Sequence, residues 1–208
     1  MNIILIGIQG SGKGTQAKLL SDRFGWKHVT SGDLFRKNIE QRTKLGIVVK
    51  KYIDAGELVP DKYVLEMISD ALNNAPDGFI LDGFPRNIEQ VLFLVDNFKI
   101  DYAILLDLSD EKAIERLMAR RNCKICKKDY NVLFKKPKVP GICDECGGEL
   151  VQRDDDNKDA ISKRIEKFHN ETNKVIDFFK QKDMLIQVNA DLPLQAIHED
   201  IASRLKGK

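Results

Sequence analysis

The sequence predicts an α/β fold: a parallel sheet covered by helices on both faces and interrupted by two insertions. Three observations lead there. First, short apolar runs at residues 2–6, 79–81, 102–108 and 185–188 have the length and composition of strands buried on both sides. Second, helical periodicity fills the stretches between them. Residues 13–24 put Ala17, Leu20 and Phe24 on one face and stop at Gly25, and residues 61–72 space Val64, Ile68 and Leu72 four apart. Residues 87–98 and 111–121 read as further helices. Residues 156–180 read as the longest, carrying Ile161, Ile165, Phe168, Thr172, Val175 and Phe179 at intervals of three and four. Strands alternating with helices imply parallel pairing, because each crossover must return over the face of the sheet. Third, residues 30–59 (mostly helical and polar) and residues 122–152 (rich in Cys, Gly, Pro and Lys) break the alternation. The expected division is a core of residues 1–29, 60–121 and 154–208, with insertions at 30–59 and 122–153.

The chain has 208 residues, which favours one domain with insertions over two independent domains. Its formal net charge of +2 removes any bulk electrostatic demand for a nucleic acid or a membrane. No apolar run approaches the roughly 18 residues of a membrane span, and residues 1–7 lack the basic start and cleavage site of a signal peptide. A cytoplasmic protein is expected, and there the four cysteines read as metal ligands rather than disulfide partners.

Between the first strand and the first helix lies Gly7-Ile8-Gln9-Gly10-Ser11-Gly12-Lys13-Gly14-Thr15. Its glycines let backbone N–H groups turn inward around an anion. The helix N-terminus adds partial positive charge and Lys13 a full one. The spacing is G-x-x-x-x-G-K, with Gly14 preceding the hydroxyl of Thr15. This pattern points to a nucleoside triphosphate but leaves the phosphoryl acceptor open.

Cys123-x-x-Cys126 and Cys143-x-x-Cys146 are separated by sixteen residues, 127–142. Two such knuckles supply four thiolates for a tetrahedral zinc ion. A closed four-sulfur shell has no position for water, so the metal is expected to be structural. The neighbouring lysines, 124, 127, 128, 135, 136 and 138, read as a solvated face. A nucleic-acid-binding NTPase is the alternative from another class, but no aromatic stacking platform accompanies them.

Three further segments narrow the acceptor: Thr30-Ser31-Gly32-Asp33-Leu34-Phe35-Arg36, Glu57-Leu58-Val59-Pro60-Asp61, and Asp82-Gly83-Phe84-Pro85-Arg86 followed by Gln90. With the glycine-rich loop, their order and spacing closely resemble the adenylate kinases over nearly the whole chain. The resemblance implies a five-stranded P-loop sheet, a helical monophosphate-binding insertion and a zinc-ribbon lid. It also implies Mg²⁺-dependent transfer from ATP to AMP by a monomer with no nucleic-acid or membrane partner. Gly10, Ser11, Gly12, Lys13, Gly14 and Thr15 would hold the donor phosphates. Arg36 and Arg86 would grip the acceptor phosphate, for which planar guanidinium groups are suited. Ser31, Glu57, Leu58, Val59, Gly83, Phe84, Pro85 and Gln90 would hold the acceptor nucleoside, and Asp82 would orient waters on Mg²⁺. Arg120, Arg153 and Arg164 would surround the transferring group, with Asp155 and Asp156 orienting them. Asp129, Tyr130 and Leu192 would lie near the donor nucleotide. Arg116 fits a similar role or a helix surface. Two departures from the family pattern are Gln9, where proline is usual, and the absence of a glycine from residues 189–193. Other P-loop monophosphate kinases, acting on UMP or CMP, remain the nearest alternative, although Gln90 and the Ser31 segment favour adenine.

Overall fold

The computed structural model describes residues 1–54, 59–152 and 156–206. Glu57, Leu58, Arg153 and Asp155, all singled out above, lie outside the described residues. The main sheet has five parallel strands in the order β2-β3-β1-β4-β8. They are β1 (Asn2–Ile6), β2 (Lys27–Thr30), β3 (Phe79–Asp82), β4 (Tyr102–Asp107) and β8 (Leu185–Asn189). Strand periodicity sorts their side chains into two cores. Ile3, Leu5, Ile80, Ile104 and Leu106 join one cluster, and Ile4, Ile6, Phe79, Leu81, Ala103 and Leu105 the other. Both faces are therefore buried, which is why these strands read as continuous apolar runs rather than alternating ones.

The first core is closed by α1 (Lys13–Phe24), α6 (Asp110–Met118), α7 (Lys158–Lys167) and α9 (Leu194–Lys206), through Ala17, Leu20, Ala113, Leu117, Ile161, Ile165, Ile197 and Ile201. The second is closed by α4 (Asp61–Asn73), α5 (Ile88–Asn97) and α8 (Asn173–Gln181), through Val64, Ile68, Val91, Leu94, Val175 and Phe179. Asn87, Ser109 and Asn157 accept hydrogen bonds from the first turns of α5, α6 and α7, satisfying N–H groups that helices leave orphaned. No described helix is long and apolar enough to cross a membrane.

Four elements differ from the sequence expectation. Strand β2 lies within a stretch with no apolar run: only Val29 of its four residues is buried, because it is an edge strand. Helix α9 follows the segment taken as the last strand and packs on α1 and β8. The helix over 111–121 ends at Met118, and Arg120 and Arg121 instead open strand β5 (Arg120–Cys123). The long helix over 156–180 begins at Lys158 and is interrupted by a π-helical turn, Phe168–Thr172, between α7 and α8.

In the first insertion, α2 (Ser31–Glu40) packs against α3 (Lys44–Asp54). In the second, β5 is the centre of a three-stranded antiparallel sheet, with β6 (Asp129–Asn131) on one side and β7 (Leu150–Val151) on the other. Its buried cluster is small: Cys123, Tyr130, Cys143 and Leu150.

Candidate nucleotide and metal sites

The phosphate loop leaves the C-terminal end of β1 and enters α1. Gly7 permits this turn, because a Cβ there would sit 2.7 Å from Ser11 Oγ and 2.8 Å from the Leu106 carbonyl. Gly12, with φ of 93°, supplies the left-handed residue that starts the helix. Ser11 is 1% exposed, and its hydroxyl has no hydrogen-bond partner among the described residues. A buried, unsatisfied hydroxyl costs stability, and a phosphate oxygen is a suitable partner at a helix N-terminus. Lys13 Nζ donates to the loop carbonyls of Gly7 (2.7 Å) and Ile8 (3.0 Å). Burial lowers its pKa to about 8; Asp82 opposes the shift, and Arg86 and Arg120 add to it.

Those three neighbours mark the site. Asp82 stands at the end of β3, and its carboxylate lies 3.4 Å from where a Cβ on Gly14 would be. His28 Nε2, on neighbouring β2, is 3.9 Å from Asp82 Oδ2. The carboxylate thus lies beside the phosphate loop, where it suits water ligands of a hard cation. Burial also lowers the pKa of Arg86, with Asp82 opposing and Arg164 reinforcing the shift. Asp156 is fully buried and holds two arginines. Its oxygens accept from Arg120 Nε (2.8 Å) and Nη2 (2.6 Å), and Arg164 Nη1 lies 3.4 Å away. Lys13, Arg86, Arg120 and Arg164 therefore form one electrostatically coupled cluster, with Asp82, Asp156 and Glu171 among its carboxylates.

On the other side of β3, Gly83 brings two site residues together. Its carbonyl accepts from Ser31 Oγ (3.0 Å) and Arg86 Nε (2.8 Å), and a Cβ there would lie 3.0 Å from Ser31 Oγ. Phe84 is a core residue, joined to Pro85 by a cis peptide bond, so any contact with a nucleotide falls to the backbone around it. Arg36 extends into solvent, its side chain 66% exposed and paired with Asp33 one turn earlier. Val59 packs at the edge of the second core. Gln90 is 6% exposed, and both ends of its amide are engaged. Leu192 is exposed in the turn before α9, where Asp191 pairs with Arg116 at 3.3 Å.

Some positioning residues carry no motif signal. The π turn points Thr172 Oγ1 at the Arg86 carbonyl, 3.2 Å away, whereas helical spacing alone reads Thr172 as one more face residue. His28 is a lone histidine in the sequence, and only parallel pairing of β2 with β3 brings it near Asp82.

The ribbon collects the four cysteine Sγ atoms within 4.8 Å of one another. The Cys123–Cys146 and Cys126–Cys143 sulfur pairs are 3.4 and 3.5 Å apart. A tetrahedron with metal–sulfur bonds of about 2.3 Å has edges of about 3.8 Å, so the donor set fits a zinc-sized ion. The two knuckles share one backbone design. Lys127 N–H donates to the Cys123 carbonyl (3.1 Å) as Gly147 N–H does to that of Cys143 (2.9 Å), and both donors are left-handed, at φ 60° and 70°. Tyr130 is placed differently from the sequence expectation. The ring is 3% exposed inside the ribbon, and its hydroxyl accepts from Asp144 N–H (2.8 Å) and lies 3.5 Å from Cys143 Sγ. The Tyr130 hydroxyl, directed at this sulfur, lowers the pKa of Cys143 to about 6, favouring the thiolate a metal requires. Asp129 is on the exposed side of β6 and pairs with Asn122.

A glycine-rich loop at the C-terminal edge of a parallel sheet, beside a cluster of cationic side chains and carboxylates, defines a P-loop nucleotide phosphotransferase. Comparison with known proteins narrows the class. The family model described as adenylate kinase matches residues 5–184. The chain is 42% identical to the adenylate kinase of Clostridium tetani, over 99% of this chain and 98% of that protein. It is 39% identical to the adenylate kinase of Bacillus subtilis, over 100% and 99%, and 42% identical to that of the archaeon Methanothrix thermoacetophila, over 99% and 98%. The chain belongs to the adenylate kinase family, enzymes that move a phosphoryl group between adenine nucleotides.

Proposed function

We propose that the chain converts ATP and AMP reversibly into two ADP, maintaining adenine nucleotide balance, with the side chains around the phosphate loop as its catalytic machinery. The observation that carries this reading is the coupled cluster of Lys13, Arg86, Arg120 and Arg164 beside a loop whose buried Ser11 hydroxyl has no hydrogen-bond partner among the described residues. The backbone of Gly10 to Thr15 and Lys13 hold the donor phosphates. Lys13 exchanges the carbonyls of Gly7 and Ile8 for phosphate oxygens. Arg86 and Arg36 hold the acceptor phosphate, Arg36 swinging from Asp33. Arg120, Arg153 and Arg164 converge on the transferring group, two of them aligned by Asp156. Asp82 would hold the waters of a Mg²⁺ ion that arrives with the donor, and the ion would supply charge neutralisation there. No general base is required: the second pKa of a phosphomonoester is about 6, so the acceptor oxygen is already ionised near neutrality. Alignment and electrostatic stabilisation then account for catalysis.

Residues 30–59, with Ser31, Glu57, Leu58, Val59 and the Gly83–Pro85 backbone, form the acceptor-binding arm, and Gln90 reads the adenine edge. Residues 122–153 form a lid held by zinc on Cys123, Cys126, Cys143 and Cys146. Within it, Tyr130 serves by bracing Cys143, and Asp129 and Leu192 border the donor nucleoside. The enzyme works as a cytoplasmic monomer, without a nucleic-acid or membrane partner. A purified-protein assay of ATP against a panel of nucleoside monophosphates tests the assignment. AMP should be the preferred acceptor, and equal or better turnover of UMP or CMP would overturn it.

A further inference from the structure

Asp61 belongs to a motif named above, yet the scheme gives it no role. It is the first residue of α4, and two side-chain amides from another helix converge on it. Its Oδ1 accepts from Gln90 Nε2 at 2.7 Å, and its Oδ2 accepts from Asn87 Nδ2 at 3.1 Å. Asn87 in turn caps α5, its Oδ1 accepting from Gln90 N–H at 2.9 Å. Gln90 Oε1 accepts from the Arg86 backbone N–H at 2.7 Å. Each partner independently dictates the same orientation of the Gln90 amide. An ionised carboxylate only accepts, so it must face the NH₂ group, and a backbone N–H only donates, so it must face the oxygen.

We propose that Asp61 is a specificity-determining positioning residue, which locks the Gln90 amide in one flip and so makes the acceptor site select a 6-amino purine over a 6-oxo purine. The inference rests on the reading that Gln90 contacts the base. After its two protein hydrogen bonds, the amide retains one N–H donor and one acceptor lone pair on oxygen. Adenine offers the complement, an N6–H donor beside the N1 acceptor. Hypoxanthine offers the reverse, an O6 acceptor beside an N1–H donor, and would require the flipped amide. The flip would set NH₂ against the Arg86 N–H and oxygen against the Asp61 carboxylate, two repulsive contacts in a site from which water is largely excluded. Selectivity therefore arises from what the carboxylate forbids as much as from what Gln90 offers.

The test uses the full-length enzyme with ATP as donor, comparing kcat/KM for AMP and for inosine monophosphate. Wild type should strongly prefer AMP. Asp61→Asn keeps the shape but can donate as well as accept, so residue 61 no longer opposes the flip and only the Arg86 N–H still resists it. The AMP preference should fall by about tenfold, the worth of roughly one hydrogen bond in a closed site, with the loss for AMP appearing in KM more than in kcat. Gln90→Ala should remove the preference outright. Asp61→Asn combined with Gln90→Ala should match Gln90→Ala alone, because Asp61 acts only through the amide. Asp61→Glu, which restores an acceptor-only group, should recover part of the preference if Asp61→Asn is too unstable to assay. If Gln90→Ala leaves the preference intact, the reading of Gln90 itself fails. If Gln90→Ala removes it but Asp61→Asn keeps the full wild-type ratio, or, where that variant cannot be assayed, Asp61→Glu loses the preference outright, the lock is overturned and Asp61 is only an anchor for α4 and α5.

Discussion

The parallel-sheet core and the cysteine ribbon solve the same problem, holding backbone in place around a site, with opposite resources. Each face of the five-stranded sheet is buried under helices, and two clusters of aliphatic side chains share the work. The ribbon has three short strands and a buried cluster of four residues, two of them cysteines. Meanwhile Ile125, Leu133, Phe134, Val139 and Ile142 of the same segment are exposed. Apolar burial contributes about 25 cal/mol per Å², so a cluster that size cannot offset the ordering of some thirty residues. The difference teaches that packing suffices for the core, whereas the ribbon needs a further source of stability, which its four clustered thiols could supply by holding a metal.

Removing the metal should break this comparison most visibly. Structural zinc contributes on the order of 10 kcal/mol to the folding of small ribbons. After chelation, with Mg²⁺ kept present, ribbon amides 120–152 should lose hydrogen-exchange protection while the strands of the main sheet keep theirs. The temperature at which activity is lost should drop, with much of the turnover surviving in the cold. Persistent protection of the ribbon would mean that its packing suffices without metal.

Asp156 sharpens the comparison at the boundary, since it ties Arg120, the first residue of the ribbon sheet, to Arg164 on core helix α7. Asp156→Ala removes the buried carboxylate that accepts two hydrogen bonds from Arg120, which should cost about 3 kcal/mol in denaturant melts. It should also lower kcat for AMP beyond what the stability loss explains. Full turnover in a folded variant would show that the arginines need no such alignment.

Lys13 separates function from stability within the core. Lys13→Met should reduce kcat by roughly two to three orders of magnitude, as the loss of a preorganised charge does, yet the nucleotide-free protein should melt no lower than wild type. The reason is linkage. Burial lowers the folded pKa of Lys13 from 10.5 to about 8, so the folded state holds this proton less well than the unfolded chain. Below pH 8 the charged lysine therefore costs stability, at most about 3 kcal/mol. That cost diminishes as pH rises from about 8 towards 10.5, where the lysine is neutral in both states. Donor affinity should move the opposite way, falling above about pH 8 because binding must then take up a proton. Titration calorimetry in buffers of different ionisation enthalpy reads that uptake, and its absence would place the proton elsewhere.

The smallest effect compares the two knuckles. Gly147 suits its left-handed conformation, whereas Lys127 adopts the same conformation with a Cβ. Lys127→Gly should stabilise the ribbon slightly, by at most about 1 kcal/mol, because relief of the left-handed strain is opposed by glycine's greater chain entropy. A clear destabilisation would show that the Lys127 side chain, whose Nζ donates to the Lys124 carbonyl at 2.8 Å, matters more than its backbone.

Local chemistry made much of this legible from residues alone. The loop from Gly7 to Thr15, the paired cysteine knuckles and four of the five parallel strands declare themselves in fewer than ten residues each, because spacing and residue type carry the signal. The family segments around Ser31, Asp82 and Gln90 add the acceptor. Helix α9 was equally legible, with Ile197, Ile201 and Leu205 four apart, but it lies beyond the segments read above as elements.

What the tertiary structure alone decided depends on contacts distant in sequence. Lys27-His28-Val29-Thr30 is a strand only because β3 offers it an edge, where one buried valine suffices. Tyr130 reads as a donor contact until antiparallel pairing with Arg121 turns it into the ribbon interior, against Cys143. Arg120 reads as a helix terminus until the buried carboxylate of Asp156, thirty-six residues later, fixes it at the head of a strand. The Gln90 amide has two possible flips in the sequence and one in the fold. Residue type sets which hydrogen bonds a side chain can make, but only the packing of α4 against α5 decides which partners it meets.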